Sequence, residues 1–133
     1  MIVVDTNVIA SIWLPNNMDE WAYKVLKKDS EWIAPLLWRS EFRNVLSLYF
    51  RKNILELTSI WQILEEAEHF MNDNEFEVNS TQIMSLVTES SCSAYDCEFV
   101  ALAEDFNIKL ITFDKKIIKE FSNIAFSPQE FIG

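Results

Sequence analysis

Short apolar runs alternate along the chain with longer stretches in which apolar residues recur every three or four positions. The short runs predict β-strands and the longer stretches predict amphipathic helices. The predicted strands are IVV at 2–4, WIA at 32–34, FEV at 76–78, KLIT at 109–112 and IAF at 124–126. The predicted helices lie near residues 6–13, 19–28, 36–51, 58–72, 81–90, 94–106 and 115–121. Strands that alternate with helices indicate an α/β fold with a mainly parallel sheet.

Length and composition favour a single domain over residues 1–133, because half of the residues are hydrophobic and can build a substantial core. Charged or polar residues interrupt every apolar run, so we expect no membrane span, and the N-terminus lacks the pattern of a secretory signal. Cys92 and Cys97 stand five residues apart in sequence that we expect to be helical, on different faces. We therefore expect no disulfide and a cytoplasmic location.

Glycine is nearly absent, since the only one is the last residue, Gly133. This excludes the glycine-rich loops that bind nucleotide phosphates and the G-x-S-x-G turn of many hydrolases. Asn53, Asn107 and Asn123 each precede an isoleucine after a helical pattern, and we expect them to adopt the left-handed conformation that ends a helix. The net charge of −10 argues against non-specific binding of nucleic acid, so a phosphate-bearing substrate would need local basic groups or bound cations.

Two carboxylates follow predicted strands. Asp5 comes directly after IVV, and Asp114 comes after KLIT, just before the helical pattern KKIIKEF. Ligands of open parallel sheets bind outside the carboxyl ends of the strands, so these two acids could share one crevice. Either residue could instead be the N-cap of the helix that follows it.

Two further acids lie in predicted helices. Glu41 belongs to an apolar stripe with Trp38, Val45 and Leu48, where an acid needs a partner such as Arg43, an arginine from another segment, or a cation. Asp96 occupies the first turn of a helix that Ser93 can cap, a position that the helix dipole alone would favour.

A cluster of these four acids would repel itself, by about 4 kcal/mol for two charges about 4 Å apart at an effective dielectric constant near 20. It would persist if some acids were protonated or if a cation lay among them. Oxygen ligands without histidine or cysteine select Mg²⁺ or Mn²⁺, which suit phosphoryl chemistry.

Four stretches together resemble the PIN domain, and most closely the VapC-type ribonuclease toxins of toxin–antitoxin pairs. They are IVVDTNVIA, APLLWRSEFRNVL, SAYDCEFVALAE and KLITFDKK, and they agree in order and spacing over essentially the whole chain. The resemblance implies a three-layer α/β/α sandwich, a homodimer, and an antitoxin protein as partner. It also implies endonucleolytic cleavage of RNA that depends on Mg²⁺ or Mn²⁺, by attack of a metal-activated water on a phosphodiester.

Site residues follow from the same resemblance. Asp5, Glu41, Asp96 and Asp114 match the acidic residues of the family that bind the metal and catalyse the reaction, and Asn7 and Thr112 match polar residues that support them. Glu98 departs from many relatives, which have an uncharged residue there, and we expect it to be structural. The basic residues beside the acids are expected to contact RNA phosphates, with solvated helix surface as the alternative; they are Arg39, Arg43, Lys115 and Lys116.

Other enzyme classes fit less well. A phosphatase of the haloacid dehalogenase type needs an aspartate where this chain has Asn7, and a Gly-Asp motif that the chain cannot provide. A phosphoacceptor receiver domain would need paired acids near the first strand. The remaining alternative is a PIN fold without catalytic activity that serves as a binding or scaffold module.

Overall fold

The computed structural model describes all 133 residues, which form five strands and eight helices. The strands are β1 (Ile2–Val4), β2 (Trp32–Pro35), β3 (Glu75–Phe76), β4 (Leu110–Ile111) and β5 (Ala125–Phe126). The helices are α1 (Thr6–Trp13), α2 (Asp19–Lys28), α3 (Leu37–Arg51), α4 (Leu57–Met71), α5 (Ser80–Thr88), α6 (Ala94–Phe106), α7 (Lys115–Glu120) and α8 (Pro128–Ile132). Every predicted element is present. Strand β3 lies slightly earlier than predicted, and α8 was not predicted.

All five strands pair in parallel, in the order β3-β2-β1-β4-β5. The central strand β1 pairs with β2 on one side, where Ile2 aligns with Trp32, and with β4 on the other, where Val3 aligns with Leu110. Helices cover both faces of this sheet: α6 lies across β1, β2 and β4, whereas α3 and α4 contact β2 and each other. The predicted three-layer sandwich with a parallel sheet is confirmed.

The order of the strands creates a switch point between β1 and β4. From β1 the chain proceeds outward to β2 and β3, and it then returns to the other side of β1 to add β4 and β5. The backbone N–H of Asp5 donates a 3.0 Å hydrogen bond to the carbonyl of Ile111, so the two strands are still joined where they end. Open α/β sheets bind their ligands at such a point, outside the carboxyl ends of the strands.

The core explains why the first strand carries no polar residue. Ile2, Val3 and Val4 are all buried, as expected for a central parallel strand with helices on both faces. They belong to one cluster of 30 buried hydrophobic residues, whose largest side chains include Trp32 and Trp38. The apolar run therefore ends where β1 leaves the core, and Asp5 is the first residue beyond it.

The ends of the helices only partly match the prediction for asparagine. Asn53 and Asn107 have φ of 59° and 53°, which confirms the left-handed conformation. The prediction for Asn123 was wrong, because its φ is not positive. Apart from the C-terminal glycine, the only other residue in the left-handed conformation is Asp73, with φ of 68°. After α7 the N–H groups of Ile124 and Ala125 both bond to the carbonyl of Phe121, so the chain reaches β5 by tight turns that need no left-handed residue.

The two cysteines differ from the prediction in position. Cys92 precedes the N-cap Ser93 and lies outside α6, whereas Cys97 is inside it, and both are buried free thiols. None of the eight helices is both long enough and apolar enough to span a lipid bilayer.

Candidate active site

Asp5 begins the site at the carboxyl end of β1, where it is also the N-cap of α1. Its Oδ1 accepts a 2.8 Å hydrogen bond from the backbone N–H of Thr6, and its Oδ2 accepts a 2.6 Å bond from the hydroxyl of Thr112. Only 9% of the residue is exposed, and it forms no ion pair. Asp5 is thus a cap and a buried acid at the switch point at the same time.

Asn7 and Thr112 connect the ends of β1 and β4. The amide nitrogen of Asn7 lies 3.4 Å from Oδ2 of Asp5 and 3.5 Å from the Thr112 hydroxyl, and its Oδ1 accepts a 3.3 Å bond from the N–H of Phe113. The Thr112 hydroxyl also accepts a 3.0 Å bond from the N–H of Asp114. These contacts fix the loop after β4 against the start of α1.

Glu41 reaches the same end of the sheet from α3. Its Oε1 accepts a 2.6 Å hydrogen bond from the hydroxyl of Thr6, and it makes no ion pair with Arg43 or any other base. The buried stripe of α3 is Trp38, Phe42 and Leu46 rather than the predicted one, and Leu48 is 45% exposed. Glu41 lies beside this stripe, half-buried, with one carboxylate oxygen free of hydrogen bonds.

Asp96 and Glu98 come from α6, the helix that crosses the middle strands. Ser93 caps α6 through a 3.0 Å bond from the N–H of Asp96, but the Asp96 carboxylate has no hydrogen bond or ion pair. Glu98 is likewise half-buried and without a polar partner. The expectation that Glu98 is structural stays a prediction.

Asp114 is the N-cap of α7 and follows the end of β4. Its Oδ1 accepts bonds from the N–H groups of Lys116 at 2.9 Å and Ile117 at 3.2 Å. The alternative prediction that Asp114 and Asp5 cap helices is therefore correct. Capping occupies one oxygen of Asp114, and the other remains free.

Burial, with a smaller contribution from repulsion, disfavours the ionised form of two of these acids, Asp5 and Glu41. Burial raises the pKa of Asp5 to about 7, the bond from Thr112 opposes the shift, and the charges of Glu41 and Asp96 add to it. Burial also raises the pKa of Glu41, against the bond from Thr6, and Asp96 and Glu98 contribute further. The charges of Glu41 and Asp96 thus act on Asp5, and those of Asp96 and Glu98 act on Glu41. No ion pair compensates these four acids, which we call the acidic cluster.

The donor set has the chemistry of a magnesium site. No three acidic, histidine or cysteine side chains are arranged as a complete set of metal ligands. Mg²⁺, however, keeps several waters and takes only one or two carboxylates directly. Oxygen-only donors, free carboxylate oxygens on Glu41 and Asp96, and uncompensated negative charge fit this ion or Mn²⁺.

Comparison with protein families identifies the fold. The model of the PIN domain family matches residues 2–126, from the first strand to the last. The chain belongs to the PIN domain family. This confirms the resemblance that the sequence motifs predicted.

Proteins similar to this PIN domain include a ribonuclease and a chain from a toxin–antitoxin complex. It is 26% identical to Ribonuclease VapC3 of Pyrobaculum aerophilum over 90% of this chain and 94% of that protein. Its fold is similar to FitAcB of Neisseria gonorrhoeae, with a TM-score of 0.77 and 17% identity over 97% of this chain and 99% of that one. It also resembles a toxin–antitoxin complex from Klebsiella pneumoniae, with a TM-score of 0.69 and 17% identity over 96% and 98% of the two chains.

The basic residues of this PIN domain occupy two different environments. Arg39 donates from Nη2 to Oε1 of Glu75 at 2.8 Å and from Nη1 to Glu68 at 3.1 Å, so its charge is already neutralised. This placement argues against the predicted phosphate contact by Arg39. The other three predicted contacts are exposed and form no ion pair; they are Arg43, Lys115 and Lys116.

The sequence prediction missed Thr6. This buried residue donates its backbone N–H to Asp5 and its hydroxyl to Glu41, so it joins two acids of the PIN site that are 36 residues apart in sequence. The only signal was a polar residue directly after Asp5. That signal could not indicate which acid the hydroxyl would contact, because Glu41 comes from another helix.

Proposed function

We propose that this PIN domain is an endoribonuclease of the VapC toxin type that hydrolyses RNA phosphodiesters with Mg²⁺ or Mn²⁺. The observation that carries the proposal is the group of acids at the switch point, whose charges repel one another and have no basic partner. Such a group is costly for the fold alone, and a divalent cation would compensate it. The relative named as a ribonuclease supports RNA as the substrate.

Asp5, Glu41, Asp96 and Asp114 would hold the metal, directly or through water. When bound, Mg²⁺ or Mn²⁺ supplies a water of lowered pKa and positive charge for the phosphate oxygens. Asn7 and Thr112 keep Asp5 in position, and Thr6 does the same for Asp5 and Glu41.

Three exposed basic residues could bind the substrate. Arg43 on α3 and Lys115 and Lys116 on α7 are exposed and form no ion pair, so they can bind phosphates of the substrate. Because these three bases are few in a protein of net charge −10, RNA held only by them should bind weakly and with strong dependence on salt.

A cleavage assay tests the function. Purified protein is incubated with a pool of single-stranded RNA in Mg²⁺, with and without EDTA, beside an Asp96→Asn variant prepared in the same way. We expect cleavage by the unmodified protein that EDTA and the substitution both abolish. Absence of EDTA-sensitive cleavage from every RNA would favour the alternative, a PIN fold without catalytic activity that acts as a scaffold.

An antitoxin is part of the same proposal. The solved toxin–antitoxin complex of similar fold supports such a partner. An apolar groove of about 200 Å³ lies between α3 and α4, with Phe50 and Leu57 each 47% exposed at its edge. A helix with an apolar face would fit this groove. A short reading frame beside the gene, whose product co-purifies with the protein, would support this part of the proposal.

A homodimer and a cytoplasmic location complete the proposal. Light scattering after gel filtration separates a dimer from the monomer mass of 15.6 kDa. The two free thiols are compatible with a reducing cytoplasm.

A further inference from the structure

Tyr95 is the most exposed large hydrophobic residue of the chain, with 62% of its surface accessible. Its hydroxyl has no hydrogen bond within the protein. The other two tyrosines differ, because Tyr23 donates to the carbonyl of Ile12 at 2.9 Å and Tyr49 donates to that of Pro15 at 3.5 Å. The ring of Tyr95 therefore contributes little to the core, and no contact within the protein explains it.

Tyr95 is the direct neighbour in sequence of Asp96, one of the four acids of the acidic cluster. Tyr95 is the second residue of α6, and the next residue is Asp96, whose Cα lies about 3.8 Å away. Asp96 is half-buried and its charge acts on Asp5 and Glu41, whereas Tyr95 is exposed. The Ser93 cap holds this first turn of the helix, so the ring projects from a rigid support.

An aromatic ring suits the electrostatics of this surface. Phosphate binding is limited because the protein carries a net charge of −10 and Arg39 is already paired. Stacking of a base on an aromatic ring needs no positive charge, and proteins that bind single strands use it widely. A ring beside Asp96 could therefore supply the affinity that the few basic residues do not.

We propose that Tyr95 stacks on an unpaired base next to the scissile phosphate and so selects single-stranded RNA. This inference rests on the proposed nuclease function, since it requires RNA at the acidic cluster. Tyr95 acts on binding and on the orientation of the nucleotide, and it takes no part in the chemistry. A base inside a duplex is already stacked on its neighbours, so paired RNA would not gain this contact.

Three substitutions separate stacking from other roles. Tyr95→Ala removes the ring, Tyr95→Phe keeps the ring without the hydroxyl, and Tyr23→Ala removes an exposed tyrosine from α2 as a matched control. The probe is a short single-stranded RNA with the sequence cut most often in a random pool, together with its fully paired form. Melting temperatures should be unchanged for the Tyr95 variants, because the ring is exposed.

For the single strand we expect Tyr95→Ala to raise KM by about 5- to 150-fold with little change in kcat, the range that one base stack gives. Tyr95→Phe should stay within about twofold of the unmodified protein, because the stacking face is retained. Tyr23→Ala should behave as the unmodified protein, and paired RNA should be a poor substrate for all of them. An unchanged KM for Tyr95→Ala, or equal losses for Phe and Ala, would overturn the proposal.

Abasic RNA identifies the contacted base. Replacing the stacked nucleotide by an abasic one should weaken binding to the unmodified protein. It should not weaken binding to Tyr95→Ala any further, because the ring is already absent. Binding is measured by fluorescence anisotropy in an Asp5→Asn background, so that cleavage does not interfere. If an abasic site weakens binding equally with and without the ring, the proposal that Tyr95 stacks on this base is wrong. EDTA-sensitive cleavage would then still support the proposed nuclease function. If no RNA is bound or cleaved, the nuclease function itself fails.

Discussion

The Thr112 hydroxyl donates a hydrogen bond of 2.6 Å to Oδ2 of Asp5, across 107 residues of sequence. The same hydroxyl accepts the backbone N–H of Asp114 at 3.0 Å. One fully buried oxygen atom therefore sets the position of two acids that follow neighbouring strands. The bond also favours the ionised form of Asp5, against the burial that raises its pKa.

Replacing Thr112 by valine should impair both stability and activity. The side chain keeps its shape, but Asp5 and the N–H of Asp114 lose their partner in a buried place. We expect a loss of about 1.5–3 kcal/mol in the free energy of unfolding, measured with urea, as for other bonds to charged groups. RNA cleavage should fall by about 10- to 100-fold, the effect typical of groups that orient metal ligands.

Thr112→Ser is the control for that variant, because it retains the hydroxyl and loses a methyl group. It should keep most of the activity. A serine variant as inactive as the valine variant would show that packing, and not the hydrogen bond, is what matters at this position.

Asp96→Asn should abolish RNA cleavage without unfolding the protein. The Asp96 carboxylate has no hydrogen bond to lose. The substitution weakens a favourable interaction with the dipole of α6, but it also removes a charge that repels Asp5, so the two effects on stability oppose each other. Loss of one proposed metal ligand should remove several kcal/mol of transition-state stabilisation, so we expect the rate to fall by at least about 100-fold. Asp105→Asn, in the last turn of the same helix, should remain active. Full activity of Asp96→Asn would refute the assignment of the site.

Millimolar Mg²⁺ should raise the melting temperature, because it compensates the repulsion among the acids. At a free concentration about 100 times Kd the gain is about 2.7 kcal/mol. For a chain of this size each kcal/mol corresponds to about 4 °C. NaCl of equal ionic strength separates screening from binding. EDTA should reverse the shift and Glu41→Gln should reduce it, whereas equal effects of both salts would exclude specific binding.

Stability at acidic pH should depend on Glu75. The hydrogen bonds from Arg39 lower the pKa of Glu75, and the bond from Trp38 acts in the same direction. The folded protein thus binds the proton of Glu75 less tightly than the unfolded chain does. The contribution of this pair is present above the ordinary glutamate pKa of 4.5 and is lost as the pH falls through the lowered value.

Two variants test this dependence by urea unfolding between neutral and acidic pH. Glu75→Gln should lower the stability at neutral pH and flatten the decline at acidic pH. Glu68→Gln should have little effect, because Glu68 bonds the same arginine with a side chain that is 34% exposed, against 10% for Glu75. An unaltered pH profile in Glu75→Gln would contradict the prediction.

Several features of the site were accessible from the sequence because they are local. A strand that ends on Asp5, a helix that begins after Asp114 and a cap at Ser93 are each encoded within a few residues. The apolar run of β1 also predicts that both faces are covered, which requires helices on either side of the sheet.

Other features depended on which elements pack together. The sequence suggested an ion pair between Glu41 and Arg43, but in the structure Glu41 accepts a hydrogen bond from Thr6 and Arg43 forms no ion pair. The sequence predicted that Arg39 contacts phosphate, but in the structure Arg39 donates a hydrogen bond to Glu75 on β3. The charge of Glu98 on α6 contributes to the raised pKa of Glu41 on α3, a relation that no local pattern predicts.

By itself the sequence determined the α/β class, the order of the elements and the candidate acids. Hydrophobic periodicity and capping are short-range, and they show which face of an element is apolar and where it begins. The tertiary structure alone decided which polar groups meet, because those contacts join residues 35, 36 or 107 positions apart. Such distances are set by the packing of whole helices on the sheet. For that reason the partners of the Thr6 hydroxyl and the exposure of the Tyr95 ring are known only from the folded chain.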